Sequence, residues 1–175
     1  ACKVLDSDAV FFFQTAIITA FPQPGAEFSF SEHIDLQCTL SDFEGSPRRL
    51  PCSFFLWLSD VKADQAPLMY RPGSHLPLVA HWEKQADLAG KIPRIIGIKA
   101  EDLPDFDHAE PRPVLARAGQ VSVLTTAMVH GGSVNTGPVP RKALVITFHD
   151  ASTTVGLPVA QEETKRIYDE TLRQL

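Results

Sequence analysis

Val121-Ser122-Val123-Leu124-Thr125-Thr126-Ala127-Met128-Val129-His130-Gly131-Gly132 is a β-rich run that closes on a histidine and two glycines. Its β-branched residues favour a pleated strand over a helix. The paired glycines let backbone or a ligand approach closely. The same style of sequence continues on both sides. Downstream, the turn-forming stretch 135–140 separates this run from an apolar one over 142–149. Upstream, short runs over 9–20, 27–39, 52–59, 67–70, 94–98 and 112–116 alternate with breaks at 22–25, 41–47, 71–73 and 102–113. With 121–129 as a further strand, this pattern predicts an all-β barrel or jelly roll rather than alternating βα units. The final segment differs. Apolar residues near helical spacing over 159–174, with Glu162 and Glu163 in the first turn, predict a C-terminal helix packed on the sheet.

Within this frame, His33-Ile34-Asp35 sits in the predicted strand 27–39. Side chains two apart on a strand share a face, so His33 and Asp35 can reach one point. His130, from a distant strand, would complete a set of two histidines and one carboxylate. That set holds non-haem Fe(II) and leaves coordination positions open. Arg141 follows eleven residues later across a turn-rich stretch. A guanidinium there can return toward the same pocket and grip a carboxylate through two parallel hydrogen bonds. A metal beside a carboxylate clamp points to an oxygenase that consumes 2-oxoglutarate.

The chain also resembles the phytanoyl-CoA dioxygenase family. The resemblance rests on the H-x-D pair, the strand Phe54-Phe55-Leu56-Trp57-Leu58-Ser59-Asp60, the turn Pro72-Gly73-Ser74-His75, and the block from His130 through Asn135 to Arg141. These motifs occur in the family's order and span roughly residues 28–148. The resemblance implies a double-stranded β-helix (jelly-roll, cupin-like), with Fe(II), 2-oxoglutarate and O2. It further implies hydroxylation of a small-molecule C–H bond with release of succinate and CO2. Position by position, it makes His33, Asp35 and His130 the metal ligands and Arg141 the partner of the far carboxylate of 2-oxoglutarate. Trp57 lines the cosubstrate pocket, and Ser133 lies one place beyond a serine that assists the arginine. Related halogenases replace the carboxylate ligand with a small residue, so an intact Asp35 points to hydroxylation. Asp64-Gln65-Ala66-Pro67 and Gly119-Gln120 depart from the family pattern and bear on substrate rather than chemistry. Only 32 residues precede His33. The expectation is a single domain over 1–175, either a minimal version of the family's domain or one without the family's N-terminal region; in the second case a homodimer is one way to cover the exposed sheet edge.

Composition agrees with one globular domain: 175 residues, 44% hydrophobic and 21% charged. A net charge of −5 argues against a nucleic-acid partner. The apolar stretch 9–20 is too short to span a bilayer and reads as a buried strand. Cys2, Cys38 and Cys52 lack metal or disulfide spacing, so reduced thiols and a cytoplasmic location are expected, with Cys38 a buried structural thiol. His75 is read as a hydrogen-bonder fixing its turn. His149 is not placed with the metal by strand alternation. His81, Trp82, Phe106 and His108 fall in a long connection of the kind that forms lids. Arg71 meets either an anionic substrate or an acidic neighbour. The rival to the dioxygenase is a non-catalytic metal- or ligand-binding cupin-like protein.

Overall fold

Residues 1–35, 51–77, 80, 98–99 and 108–151 are described by the computed structural model. Among them a helical turn, α1 (Cys2–Leu5), precedes nine strands. These are β1 (Val10–Ala20), β2 (His33–Ile34), β3 (Cys52–Trp57), β4 (Leu68–Tyr70), β5 (Ile98–Lys99), β6 (Arg112–Val114), β7 (Val121–Thr125), β8 (His130–Gly132) and β9 (Arg141–Asp150). They form two sheets, ordered β1-β9-β3-β7 and β5-β2-β8-β4-β6, with antiparallel pairing throughout. From β1 to β4 and from β6 to β9 the chain alternates between the two sheets, while β4, β5 and β6 share the second, a mainly β arrangement of the jelly-roll kind.

Period-two alternation builds the core. Ser53, Phe55 and Trp57 of β3 are buried, and β9 buries Arg141, Ala143 and Thr147 on one face. Phe55, Trp57, Leu124 and Ala143 from one sheet pack with Val61 and Leu68 into a single apolar cluster. Trp57 is 0% exposed, and its ring stacks on Phe55 at 6.0 Å. At roughly 25 cal/mol per Å2 of apolar surface, burying side chains of this size supplies the main drive for closing the two sheets.

Three expectations change. The run 121–129 is not one strand. It breaks after Thr125, where the Met128 N–H donates to Thr125 O (3.0 Å) and the Thr126 N–H donates to Pro51 O (3.0 Å). This turn carries the chain from one sheet to the other, so His130 opens a new strand. The predicted strand 27–39 shortens to His33–Ile34 with an isolated bridge from Phe30 to Ser133, while 36–39 lie outside the described residues. The stretch 9–20 is a strand but not a buried one, and Ile17 is 72% exposed. The physical reason is its edge position, since among the described residues it pairs with β9 alone. The predicted C-terminal helix, Cys38, and most of the connection with His81, Trp82 and Phe106 lie outside the described residues. No helix among those described is long and apolar enough to cross a membrane.

Candidate metal centre

His33 of β2 stands directly opposite His130 of β8 in antiparallel register. Facing residues on such strands project to the same side, and the two imidazole centroids are 4.6 Å apart. Asp35, two residues beyond His33, reaches the same point. Its Oδ1 is 3.6 Å from His33 Nε2, and its Oδ2 is 3.5 Å from His130 Nε2. One donor atom from each of the three residues lies within 4.8 Å of the others. The sequence motif H-x-D and the distant histidine therefore meet in space.

Both rings are oriented by the backbone. His33 Nδ1 donates to Ser31 O at 2.9 Å, and His130 Nδ1 donates to Met128 O at 2.8 Å. A carbonyl can only accept, so each neutral ring carries its proton on Nδ1 and presents the Nε2 lone pair inward. That arrangement is the usual outer support of a metal-binding histidine. Neighbouring donors on a first-row metal with bonds of about 2.1 Å stand ~3 Å apart, so the Asp35–His33 and Asp35–His130 separations of 3.6 and 3.5 Å need only slight closing around an ion. Two imidazoles and a carboxylate fit such a cation.

The charges of these three side chains are tightly coupled. Burial pushes the Asp35 carboxyl up, but hydrogen bonding to His130 and the charges of His130 and His33 outweigh it and hold it below the usual carboxylate value. Burial opposes the His130 imidazolium, yet Asp35 and the Met128 carbonyl raise its pKa above that of an ordinary histidine. A divalent cation would replace that proton.

Backbone packing near the histidines is close. A Cβ at Gly131 would overlap the Ser31 carbonyl oxygen and lie 2.7 Å from its carbon. The turn before His75 is fixed by Ser74, whose Oγ accepts the Val129 N–H at 2.9 Å and lies 3.3 Å from Met128 Sδ. His75 Nδ1 has no hydrogen-bond partner among the described residues, so the hydrogen-bonding role expected of His75 belongs to its neighbour. Ser31 has no signal in the sequence, whereas Ser74 enters there only as part of the Pro72–His75 turn and Gly131 only as half of the glycine doublet after His130.

Arg141 opens β9 and is buried. Its Nε donates to Ala66 O at 3.1 Å, and its guanidinium lies 5.7 Å over the Trp57 ring. Ala66 holds φ of 48°, a left-handed conformation uncommon for a residue with a Cβ. A Cβ on Gly132, two residues along from His130 and on the same strand face, would come 3.9 Å from Arg141 Nη2. Arg141 thus bridges from one sheet to the strand that carries His130. Burial lowers the guanidinium pKa, and no carboxylate pairs with it among the described residues. The Trp57 Nε1–H donates to Ser122 Oγ at 2.9 Å. Ser133 donates its hydroxyl to Pro67 O at 2.7 Å rather than to Arg141. Arg71 pairs with Glu32. His149 is fully buried near the end of β9. Burial pushes the Cys52 thiol up to about 11, which keeps it unreactive.

Residues 2–143 match the family model of phytanoyl-CoA dioxygenase (PhyH). No curated protein matches the sequence. Among solved structures, the non-haem monooxygenase ThoJ in its apo form shares 22% identity at a TM-score of 0.59, covering 85% of this chain and 49% of its own. EctD from S. alaskensis with 2-oxoglutarate and 5-hydroxyectoine shares 21% identity at a TM-score of 0.56, covering 87% and 48%. SnoK, a non-haem α-ketoglutarate-dependent carbocyclase from nogalamycin biosynthesis, shares 20% identity at 0.51, covering 86% and 53%. The chain therefore spans about half the length of these structures.

Proposed function

Because the chain belongs to the phytanoyl-CoA dioxygenase family, we propose that it is an Fe(II)- and 2-oxoglutarate-dependent oxygenase that hydroxylates a C–H bond of a small molecule. The observation that carries this reading is the meeting of His33, Asp35 and His130, with donor atoms within 4.8 Å and both Nδ1 positions engaged by backbone. These three residues would hold the metal, a ligand set that leaves coordination positions for cosubstrate and oxygen. Bound there, Fe(II) with 2-oxoglutarate and O2 supplies the oxidative decarboxylation that yields succinate and CO2 and delivers one oxygen atom to substrate.

The chain's own residues do the rest. Asp35 brings a negative charge that reduces the net charge of the centre and fixes the third coordination direction. Arg141 receives the far carboxylate of 2-oxoglutarate. Its Nε is committed to Ala66 O, which leaves both terminal nitrogens to form a two-pronged contact. A buried guanidinium without a carboxylate beside it is costly alone, and an anionic cosubstrate offsets that cost. Trp57 forms the apolar floor under the guanidinium. SnoK, a structural neighbour described as a carbocyclase, shows that this fold hosts other outcomes; the intact carboxylate at Asp35 favours hydroxylation here.

The decisive experiment reconstitutes the protein anaerobically with Fe(II), admits O2 and 2-oxoglutarate, and follows succinate across a panel of small molecules. Substrate-stimulated succinate release with hydroxylated product is expected. Stable Fe(II) binding without any consumption of 2-oxoglutarate would instead assign a non-catalytic metal-binding role.

A further inference from the structure

Arg71 lies outside the proposed ligand set, yet it touches three parts of the chain around that set. Its Nε donates to Glu32 Oε1 and Oε2 at 3.0 and 3.1 Å, and Nη2 also reaches Oε1. Its Nη1 donates to Ala109 O at 3.1 Å, just before β6. Its backbone N–H donates to Val129 O at 2.9 Å. Glu32 immediately precedes His33, and Val129 immediately precedes His130. One residue is therefore tied to the chain beside each of the two histidines.

Such a tie is needed because the strands themselves are weakly joined there. β2 has two residues and pairs with β8 at the single position His33↔His130, and the same register recurs at the isolated bridge Phe30↔Ser133. So short and interrupted a ladder leaves the spacing and tilt of the two strands weakly determined. A forked contact is directional, and this one joins residues 39 positions apart. The two side chains are only 22% and 19% exposed, so water competes for the pair less than at an open surface. Hydrogen bonding and charge from Glu32, with a further charge from Glu110, hold the Arg71 guanidinium above its usual pKa despite some burial.

We infer that Arg71 is a positioning residue of the metal centre: its fork on Glu32 sets the approach of the His33 strand, while its backbone sets the approach of His130. The inference rests on His33, Asp35 and His130 being the metal ligands. It also accounts for an arginine beside the site whose charge is spent on Glu32 and not on a substrate anion.

The test uses the metal-free full chain, titrated with Co(II) and followed by visible absorption, in wild type, Arg71→Ala, Arg71→Lys, Glu32→Gln and the Arg71→Ala/Glu32→Gln double variant. Arg71→Ala and Glu32→Gln should each weaken Co(II) binding about tenfold, the loss typical of an outer-shell partner, and alter the ligand-field bands. Arg71→Lys should recover part of the affinity, and the double variant should be no worse than the weaker single one. Glu32→Gln preserves size and carries the test if Arg71→Ala fails to fold. Wild-type affinity and bands in Glu32→Gln, or additive losses in the double variant, overturn the inference while leaving the metal site standing. A wild-type chain that takes up no Co(II) overturns both.

Discussion

The carbonyl oxygen of Ser31 occupies the space where a side chain at Gly131 would begin, and that same oxygen accepts the Nδ1 proton of His33. A methyl group at Gly131 meets backbone, which cannot swing aside as a side-chain tip can. Gly131→Ala should therefore displace the 31–33 segment and loosen His33. Metal affinity should fall by about 10–100-fold, the range for lost outer-shell support. Isothermal titration with Mn(II) checks this, and an unchanged affinity would show that the segment relaxes without moving the imidazole.

Replacing His33, Asp35 or His130 singly with Ala should abolish tight Fe(II) binding, because two donors hold a divalent ion poorly. Iron content after desalting, with succinate release measured in parallel, decides the matter. Retention of both by two of the three variants would place the metal elsewhere. Asp35→Gly should also open a coordination position to halide, read as a chloride-dependent change in the spectrum of the Co(II) form.

Arg141→Lys keeps the charge but removes the fork and the Nε contact to Ala66 O. The apparent 2-oxoglutarate requirement should rise by about 1.5–3 kcal/mol of lost binding, with Fe(II) affinity largely retained. An unaltered dependence on 2-oxoglutarate in succinate-release assays would move the carboxylate clamp to another residue.

Metal stabilisation should depend on pH in a definite direction. The folded pKa of His130 lies above its ordinary 6.5, so its contribution to the metal-free fold is full below 6.5 and lost as pH rises through the raised value. Asp35 lies below its ordinary 3.8, so its contribution is present above 3.8 and lost as pH falls through the depressed value. The metal-free pair is thus at its best in mild acid, where a cation must also displace the His130 proton. The rise in Tm on adding Mn(II) should be small there and grow through neutrality. Melting curves with and without Mn(II) across a pH series test this; a shift of constant size would contradict the proton exchange.

The sequence by itself determined the strand-rich class, the approximate extent of β1, β3, β4 and β9, and the residue types of the candidate site. Those features are local, because side-chain alternation, β-branching and turn residues act within a few positions. It also placed His33 and Asp35 on one face, since their spacing equals the period of a strand. Only the tertiary structure decided that the run 121–129 breaks so that His130 enters the second sheet, and that His33 and His130 face each other across a single ladder position. It alone paired Arg71 with Glu32, gave Arg141 the Ala66 carbonyl, and left β1 at an exposed edge despite its apolar composition. Each of these depends on which distant segment lies alongside, and strand order is set by long-range burial and hydrogen bonding that no local window of sequence contains.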